Sequence, residues 1–224
     1  MTDAVYETLE FPTAPLDRPY AYINMVTTID GKSVSGTRDE DVQDLGTETD
    51  HATMRAIEFS ADAVLIGAGS LRATAKLHYA PRLARFVVSR SGDLDFNSPF
   101  FAKSEENAWV VTAKAGSERV AGRAHCMVVG DAEVDLIEAL RRMRVEMGVS
   151  RLLIEGGSEL NASLLALDVV DELFLTMAPL VKLGRTTPTY ADGEPLGRKN
   201  LLRFSLVSST PVGDEVYLRY QRRN

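Results

Sequence analysis

Short apolar runs, separated by polar and glycine-containing segments, recur along most of the chain. Each has three to eight residues, and most are rich in Val, Ile, Leu and aromatic side chains. Continuous apolar runs of this length are typical of strands that are buried on both faces of a sheet. The predicted strands cover residues 20–27, 63–66, 86–88, 109–111, 127–129, 152–154 and 172–177.

Several of these runs are separated by segments with helical spacing of apolar residues. One helix is predicted from Thr49, as its N-cap, to Phe59, and a second after Asp131, which is again a possible cap. A third follows residue 158, with Leu160, Leu164, Leu165 and Leu167 on one side. The apolar positions of the second helix are Val134, Ile137, Leu140 and Met143. Strands that alternate with helices predict a mostly parallel sheet covered on both faces.

The end of the chain has a different pattern, in which apolar and polar residues alternate. Phe204 and Leu206 belong to one such segment, and Val216, Leu218 and Tyr220 to the next. Alternation of this kind is typical of antiparallel edge strands. The predicted fold class is therefore a three-layer α/β fold: a mostly parallel central sheet with an antiparallel C-terminal edge and helices on both faces. Residues 1–19 are expected to form an extended arm, and residues 20–224 a single domain.

Composition and charge narrow the function classes. The 224 residues carry a net charge of −7, and the isoelectric point is about 5.1, which argues against a nucleic-acid partner. No run of 18 or more apolar residues predicts a membrane span. Cys126 is the only cysteine, and the three histidines have no zinc-binding spacing, so no metal site is expected. With no signal-peptide pattern either, a cytoplasmic protein is expected. Residues 39–44 are predicted to form an acidic loop.

Two glycine-containing turns follow predicted strands and point to a phosphate-bearing ligand. Gly156 and Gly157 lie between a strand and a helix, and Gly67 and Gly69 follow another strand. Glycine lets a backbone approach a ligand closely, and a helix N-terminus attracts phosphate. The two turns could therefore face one crevice and hold a diphosphate between them. A G-x-G-x-x-G fingerprint is absent after the first strand.

Five segments in order resemble one enzyme family. They are TTIDGK at 27–32, ADAVLIGAGSLRA at 61–73, RFVVS at 85–89, LLIEGGSELNASLL at 152–165 and VVDELFLTMAPLV at 169–181. This series resembles the reductase domain of the bacterial bifunctional riboflavin-biosynthesis protein and its stand-alone relatives, which have the dihydrofolate-reductase-like fold. The resemblance implies an NADPH-dependent reductase that transfers hydride to C1′ of the ribose in a ribosylamino pyrimidine 5′-phosphate. A homodimer is implied too. The zinc deaminase that is fused to some relatives is expected on a different polypeptide.

The resemblance also implies site residues. The implied cofactor-binding residues are Thr27, Thr28, Asp30, Gly67, Gly69, Ser70, Leu71, Thr74, Ser89, Arg90, Gly156, Gly157, Ser158, Glu159 and Leu160. The implied substrate-binding residues are Asn24, Ser35, Lys76, His78, Arg82 and Glu155. Relatives carry an Asp-Asp-Pro-like run where this chain has residues 73–78, so substrate contacts in this loop are open. No side chain is singled out as a catalytic acid, because the cofactor supplies the chemistry of hydride transfer.

Three alternatives stay open at this stage. A true dihydrofolate reductase shares the fold, and Glu58 or Asp50 could serve as the buried carboxylate that this activity needs. That activity also typically needs a tryptophan in the loop after the first strand, and the only one here is Trp109. A nucleotide-binding protein that lost turnover is a rival from another functional class. The sequence also leaves open whether the pyrimidine is deaminated before or after its reduction.

Overall fold

The computed structural model describes residues 4–6, 8–37, 44–74, 76–102 and 105–223. Its centre is a sheet of nine strands. They are β1 Tyr20–Thr28, β2 Ala63–Gly67, β3 Ala84–Val88, β4 Ala108–Thr112, β5 His125–Val128, β6 Arg151–Ile154, β7 Glu172–Ala178, β8 Phe204–Val212 and β9 Glu215–Arg222. All seven apolar runs form strands, as predicted. The predicted acidic loop lies outside the described residues except for Asp44.

The sheet has the strand order β5-β4-β3-β2-β6-β1-β7-β9-β8. Neighbours from β5 to β7 pair in parallel, whereas β9 runs antiparallel to both β7 and β8. The predicted mixed sheet is confirmed. The predicted antiparallel C-terminal edge is confirmed as well, since β9 pairs with β7 and β8 lies outside β9. Only β8 is an edge strand at this end.

Six helices pack on the sheet in the described part of the chain. They are α1 Glu48–Ser60, α2 Ala68–Ala73, α3 Pro99–Ala102, α4 Lys114–Val120, α5 Leu136–Val145 and α6 Ser158–Ala166, with a short 3₁₀ turn at Glu105–Asn107. Buried residues of α5 and α6 belong to the core on one face of the sheet, and those of α1, α2, α3 and α4 to the core on the other. Helices on both faces are thus confirmed.

The two predicted helix caps are both wrong. Helix α1 begins at Glu48, and its N-cap is Thr47, whose hydroxyl donates to Glu215 at 2.6 Å. Helix α5 is capped by Asp135, whose Oδ1 accepts the N–H of Glu138 at 2.9 Å. Asp131 satisfies the same sequence rule but lies four residues too early, because the chain bends over residues 130–133 before the helix begins.

Residues 8–19 have no regular secondary structure and cross the same face as α1. Phe11 stacks on Tyr22 of β1 with ring centroids 4.7 Å apart. Arg18 binds Asp171 through both terminal nitrogens, at 2.6 and 2.8 Å. Because Asp171 also accepts the N–H of Ala21 at 2.8 Å, this bidentate pair fixes the chain where it enters the sheet.

The position of β6 matters most for the site. This strand lies between β2 and β1, inside the parallel part of the sheet. The segments that follow β2 and β6 therefore leave the sheet side by side. Ligands of open α/β sheets bind in crevices outside such carboxyl ends.

Candidate active site

A large cavity opens at the carboxyl ends of β2, β3 and β6 and extends along β1. Its volume is about 1500 Å³, enough for a dinucleotide and a second small molecule side by side. Residues of β1, α1, α2, α6 and the connecting loops line it. The lining includes fourteen of the sequence-predicted site residues: Asn24, Gly67, Gly69, Ser70, Thr74, Lys76, His78, Ser89, Arg90, Glu155, Gly157, Ser158, Glu159 and Leu160.

The two glycine segments meet at one wall of the cavity. The N–H of Gly67 donates to the carbonyl oxygen of Gly156 at 2.6 Å. A Cβ on Gly67 would lie 3.2 Å from the backbone nitrogen of Gly157, and a Cβ on Gly157 would lie 3.3 Å from Ser70 Oγ. Gly156 has a φ of +75°, and its peptide bond to Gly157 is cis. Side chains at these positions would fill the space between the two segments, so glycine keeps a narrow backbone cradle open.

Helix α6 begins at Ser158, directly after this cradle. Its first backbone N–H groups have no acceptor within the helix, and the helix dipole adds partial positive charge there. An anionic group that enters the cradle therefore meets backbone donors on a nine-residue helix. The residues present fit the diphosphate of a dinucleotide.

Glu155 is the most strongly perturbed carboxyl group that lines the cavity. It follows β6 directly, and its Oε2 accepts a hydrogen bond from the Tyr79 hydroxyl at 2.7 Å. Burial raises the pKa of Glu155 to about 7, and the hydrogen bond from Tyr79 opposes that rise. Near neutral pH the group is thus divided between its protonated and ionised forms. A carboxyl in that state can donate or accept a proton.

Two further side chains act on the same carboxyl group. The negative charge of Glu58, on α1, raises the pKa of Glu155 further, whereas a hydrogen bond with Asn24, on β1, lowers it. Glu58 itself accepts the N–H of Ala80 at 3.3 Å. Both Glu58 and Asn24 line the cavity. Three elements of the fold therefore converge on Glu155.

Basic side chains line the part of the cavity wall that α1, α2 and the loop after α2 provide. Arg55 lies on α1 and Arg72 on α2, and Lys76 and His78 lie on the loop. The Nδ1 atom of His78 is 3.0 Å from the carbonyl oxygen of Lys76. In a protein of net charge −7, the two arginines and the lysine of this group provide local attraction for a phosphate.

A second group of polar residues follows β3. Ser89 is buried, and its Oγ accepts the N–H of Gly92 at 3.1 Å. Arg90 is exposed and forms an ion pair with Glu133 at 2.9 Å. Arg90 and Glu133 also border a smaller recess of about 350 Å³ that includes Arg119. Arginine at this rim suits bidentate binding of a phosphate.

Four predicted site residues lie on or after β1 but outside the cavity wall. Thr27 and Thr28 are buried in the strand, and the Thr28 hydroxyl donates to Asp30 at 2.6 Å. Asp30 also accepts the N–H groups of Lys182 and Leu183, at 3.0 and 2.8 Å. These hydrogen bonds lower the pKa of Asp30 to about 2, and the one from Thr28 has the largest effect. The Asp30 carboxylate thus fixes the turn that follows β1. The fourth residue is Ser35, whose hydroxyl donates to Asp44 at 2.5 Å.

Three other predicted site residues also lie outside the wall. Leu71 is buried in the core, and Gly156 lies behind the cradle, next to the sulfur of Met25. Arg82 donates to the carbonyl oxygens of Ala61, Glu58 and Phe59 at 2.9, 3.2 and 2.8 Å. Its guanidinium group is therefore engaged at the end of α1. Arg82 is not among the residues that line the cavity.

Sequence reasoning missed Tyr79 as a site residue and considered Glu58 only as the possible carboxylate of a dihydrofolate reductase. Both belong to segments that also carry core positions, such as Ile57 on α1 and Leu83 before β3. Tyr79 is itself 6% exposed. Its partner Glu155 lies 76 positions later in the chain, so no local pattern indicates the pairing. The loop that contains Pro188 also contributes to the cavity wall. Sequence reasoning missed this contribution as well, because no local pattern indicates a contact between distant parts of the chain.

The described segments of the chain contain neither a candidate metal site nor a candidate membrane-spanning helix. No three His, Cys, Asp or Glu side chains are grouped there as a metal ion requires. No helix in these segments is both long and apolar enough to cross a membrane.

Comparison with known proteins adds family information to this geometry. The model of the RibD C-terminal domain matches residues 19–218. The 2,5-diamino-6-ribosylamino-4(3H)-pyrimidinone 5′-phosphate reductase of Methanothermobacter thermautotrophicus is 30% identical over 220 residues, which cover 91% of this chain and 98% of that protein.

Solved structures show the same fold. A pyrimidine reductase-like protein from Corynebacterium diphtheriae superposes with a TM-score of 0.78 at 20% identity, over 98% of this chain and 97% of that one. Dihydrofolate reductase from Enterococcus faecalis superposes with a TM-score of 0.54 at 12% identity, over 91% and 96% of the two chains. The dihydrofolate-reductase-like fold that the sequence predicted is confirmed.

Proposed function

Because the chain belongs to the RibD C-terminal domain family, we propose that it is a nicotinamide-dependent reductase that converts a ribosylamino pyrimidine 5′-phosphate to its ribitylamino form. The main support for the proposal is that the glycine cradle and the Glu155 carboxyl group line the same cavity. The cradle suits a dinucleotide diphosphate, and the carboxyl group can exchange a proton near neutral pH. NADPH is the proposed cofactor.

The cofactor is held by the cavity residues around the cradle. Gly67, Gly157 and Ser158 provide backbone contacts to the diphosphate, and Ser89 and Arg90 bind the adenosine 2′-phosphate that distinguishes NADPH from NADH. Gly69, Ser70, Thr74, Glu159 and Leu160 complete this wall. The exposure of Arg90 supports this role, since its guanidinium can leave Glu133 for a doubly charged phosphate.

The substrate occupies the part of the cavity nearer to α1. Its 5′-phosphate binds among the cavity-lining side chains that include Arg55, Lys76 and His78. Asn24 and Glu155 face the reacting end of the molecule, because both lie close to the centre of the sheet and to the cradle. The phosphorylated form of the substrate is supported by the name of the archaeal relative, which acts on a pyrimidinone 5′-phosphate.

The reaction needs a hydride and a proton. When bound, the reduced nicotinamide supplies a hydride to C1′ of the ring-opened ribose. The C1′=N bond accepts that hydride at carbon and a proton at nitrogen, so its π bond is replaced by a C–H and an N–H bond. Protonated Glu155 donates the proton, and it regains one from water afterwards. The cavity contributes orientation as well, which can supply roughly 7–11 kcal/mol of barrier lowering.

Dihydrofolate reduction is the rival activity, since the fold is shared. Two carboxylates of the cavity wall, Asp50 and Glu58, favour it because a pterin needs an acidic partner. The loop after β1 lacks the tryptophan that this activity typically needs. The only tryptophan of the sequence, Trp109, lies on β4 and stacks on His125 with ring centroids 4.7 Å apart. A protein that binds nucleotides without turnover is the second rival.

One assay separates these proposals. The purified protein is mixed with NADPH and, in separate samples, with the diamino pyrimidinone substrate, its deaminated counterpart and dihydrofolate. Loss of reduced nicotinamide with one pyrimidine supports the proposed reductase and identifies the order of the pathway. Loss with dihydrofolate alone supports the rival enzyme. Cofactor binding without any loss supports the binding protein.

The proposed enzyme is a cytoplasmic homodimer. Support for the dimer comes from the outer strand β8, where Leu206 and Val207 are 55% and 49% exposed and one edge of the sheet is open. Light scattering of the purified chain tests it. A mass of two chains that falls to one in Leu206→Lys agrees with the proposal, and a single chain at all concentrations contradicts it.

A further inference from the structure

The Tyr79 hydroxyl is fixed in space before any ligand binds. The side chain is 6% exposed, and its ring packs edge-on against Phe100 with centroids 6.3 Å apart. Its hydroxyl donates to Glu155 Oε2 at 2.7 Å. A buried ring of this kind has few alternative rotamers, so the hydroxyl restricts where the carboxyl group can lie.

We infer that Tyr79 is a positioning residue for Glu155, which holds the carboxyl group at the cavity wall and, together with Glu58, controls its proton. For its catalytic consequence this inference rests on the proposed function. The positioning itself does not, because it concerns two side chains of this chain and can be measured without substrate.

Tyr79 and Glu58 have opposite effects on the ionisation of Glu155. Tyr79 donates to Glu155, so it stabilises the ionised carboxylate more than the neutral acid. Glu58 carries negative charge, so it disfavours ionisation of Glu155. Arg85 acts on Tyr79 and lowers its pKa, although burial keeps that pKa well above its ordinary value and the phenol protonated. Asn24 contributes a hydrogen bond from β1, and Arg55, Lys76 and His78 line the same cavity.

The pair suits a proton donor. As Glu155 releases its proton, the hydrogen bond from Tyr79 becomes charge-assisted and therefore stronger. The stabilisation thus grows with the charge that develops during the transfer, which is the condition for lowering a barrier. Glu58 has the complementary effect, because its negative charge increases the fraction of Glu155 that is protonated before the transfer.

The test is a pH titration of Glu155 by NMR, in protein with carbon-13-labelled glutamate carboxyl groups and without substrate. Glu155→Gln identifies the resonance by its disappearance. In Tyr79→Phe we expect the pKa to rise from about 7 by about one unit, the value of one lost charge-assisted hydrogen bond. In Glu58→Gln we expect it to fall.

A matched control keeps the test specific. Tyr217→Phe removes another tyrosine hydroxyl that donates to a buried carboxylate, at Glu215 with a distance of 2.5 Å, outside the cavity wall. This variant is expected to leave the Glu155 titration unchanged. An unchanged pKa in folded Tyr79→Phe, or an equal rise in Tyr217→Phe, overturns the inference. If Tyr79→Phe does not fold, Glu58→Gln decides, and a pKa that does not fall overturns it.

Activity assays add a second reading that depends on the proposed function. In Tyr79→Phe, kcat should fall while KM for the pyrimidine changes little, and the upper limb of the pH profile should move to higher pH. A titration that shifts as expected in a protein without reductase activity would retain the Tyr79–Glu155 pair and reject the proposed reaction. A rise in KM alone, at an unchanged pH profile, would overturn the positioning role.

Discussion

The N–H of Gly67 and the carbonyl oxygen of Gly156 form a hydrogen bond of 2.6 Å that joins the last residue of β2 to the segment that follows β6. This contact brings together two glycine segments that are separated by almost ninety residues. It also places the start of α6 at the wall of the large cavity. The position of the proposed cofactor diphosphate follows from it.

Gly67→Ala should therefore weaken both the fold and cofactor binding. The new Cβ would lie 3.2 Å from the backbone nitrogen of Gly157, which cannot move away as a flexible side chain can. We expect a loss of roughly 1–3 kcal/mol in the free energy of unfolding, measured with urea, and weaker NADPH binding by calorimetry. Gly69→Ala is the matched control, because a Cβ there meets no atom within 4 Å, and its stability should not fall. Equal losses in both variants would contradict the cradle.

Glu155→Gln should abolish most of the activity without preventing binding. The amide keeps the size of the side chain but has no proton to donate at neutral pH. We expect kcat/KM to fall by roughly 10²–10⁴-fold, the usual contribution of a general acid. In the unmodified protein, activity should decline as the pH rises through about 7, because the acid form is then lost. An activity that increases through this range would indicate a base instead.

The same carboxyl group makes a prediction for stability. Its pKa in the folded state is raised to about 7 from an ordinary value of 4.5, so the folded state binds more protons than the unfolded state between these values. Stability contributed by this group is present below about pH 4.5 and declines up to about pH 7. Glu155→Gln should thus be more stable than the unmodified protein at alkaline pH, by roughly 1–3 kcal/mol, and this difference should shrink in acid. Urea unfolding across this range measures it, and a constant difference would contradict the raised pKa.

Arg82 and Lys76 test the location of the phosphate. Arg82→Ala removes three hydrogen bonds to the end of α1 and should cost about 1 kcal/mol of stability, with little effect on KM for the pyrimidine phosphate. Lys76→Ala should do the reverse, because its side chain lines the cavity. Thermal unfolding and steady-state kinetics on both variants check this. A raised KM in Arg82→Ala at unchanged stability would restore Arg82 as a phosphate ligand.

Arg90 should determine the choice between NADPH and NADH. Its ion pair with Glu133 is exposed, so it contributes little to stability and can be exchanged. Arg90→Ala should weaken NADPH binding by roughly 10- to 100-fold and leave NADH binding nearly unchanged. Glu133→Gln is the counterpart, and it should not weaken NADPH binding. Equal losses for both cofactors in Arg90→Ala would assign this residue to the adenine or ribose instead.

These results show what a sequence can and cannot predict here. Buried parallel strands are continuous apolar runs, so β2 and β6 were evident, and the glycines after them indicated a backbone-lined crevice. The cap of α5 was not evident, because Asp131 and Asp135 satisfy the same rule and only the bend over residues 130–133 keeps the first of them out of the helix.

Two further features of the site depend on tertiary contacts. Arg82 lies in a segment that suggested phosphate binding, but the end of α1 is near enough in space to engage its guanidinium. Tyr79 contacts Glu155, which lies 76 positions later in the chain, so no local sequence pattern indicates this contact. The identity of a proton donor depends on burial and charged neighbours, which a linear pattern does not contain.

The most direct test of the proposed reaction follows a labelled hydride. Reduced cofactor that carries deuterium at the transferred position is mixed with the protein and the diamino pyrimidinone phosphate, and the product is analysed by mass spectrometry and NMR. The proposal predicts one deuterium at C1′ of a ribityl chain. An unlabelled product, or deuterium on a heterocyclic ring instead of the ribityl chain, would contradict the proposed hydride transfer.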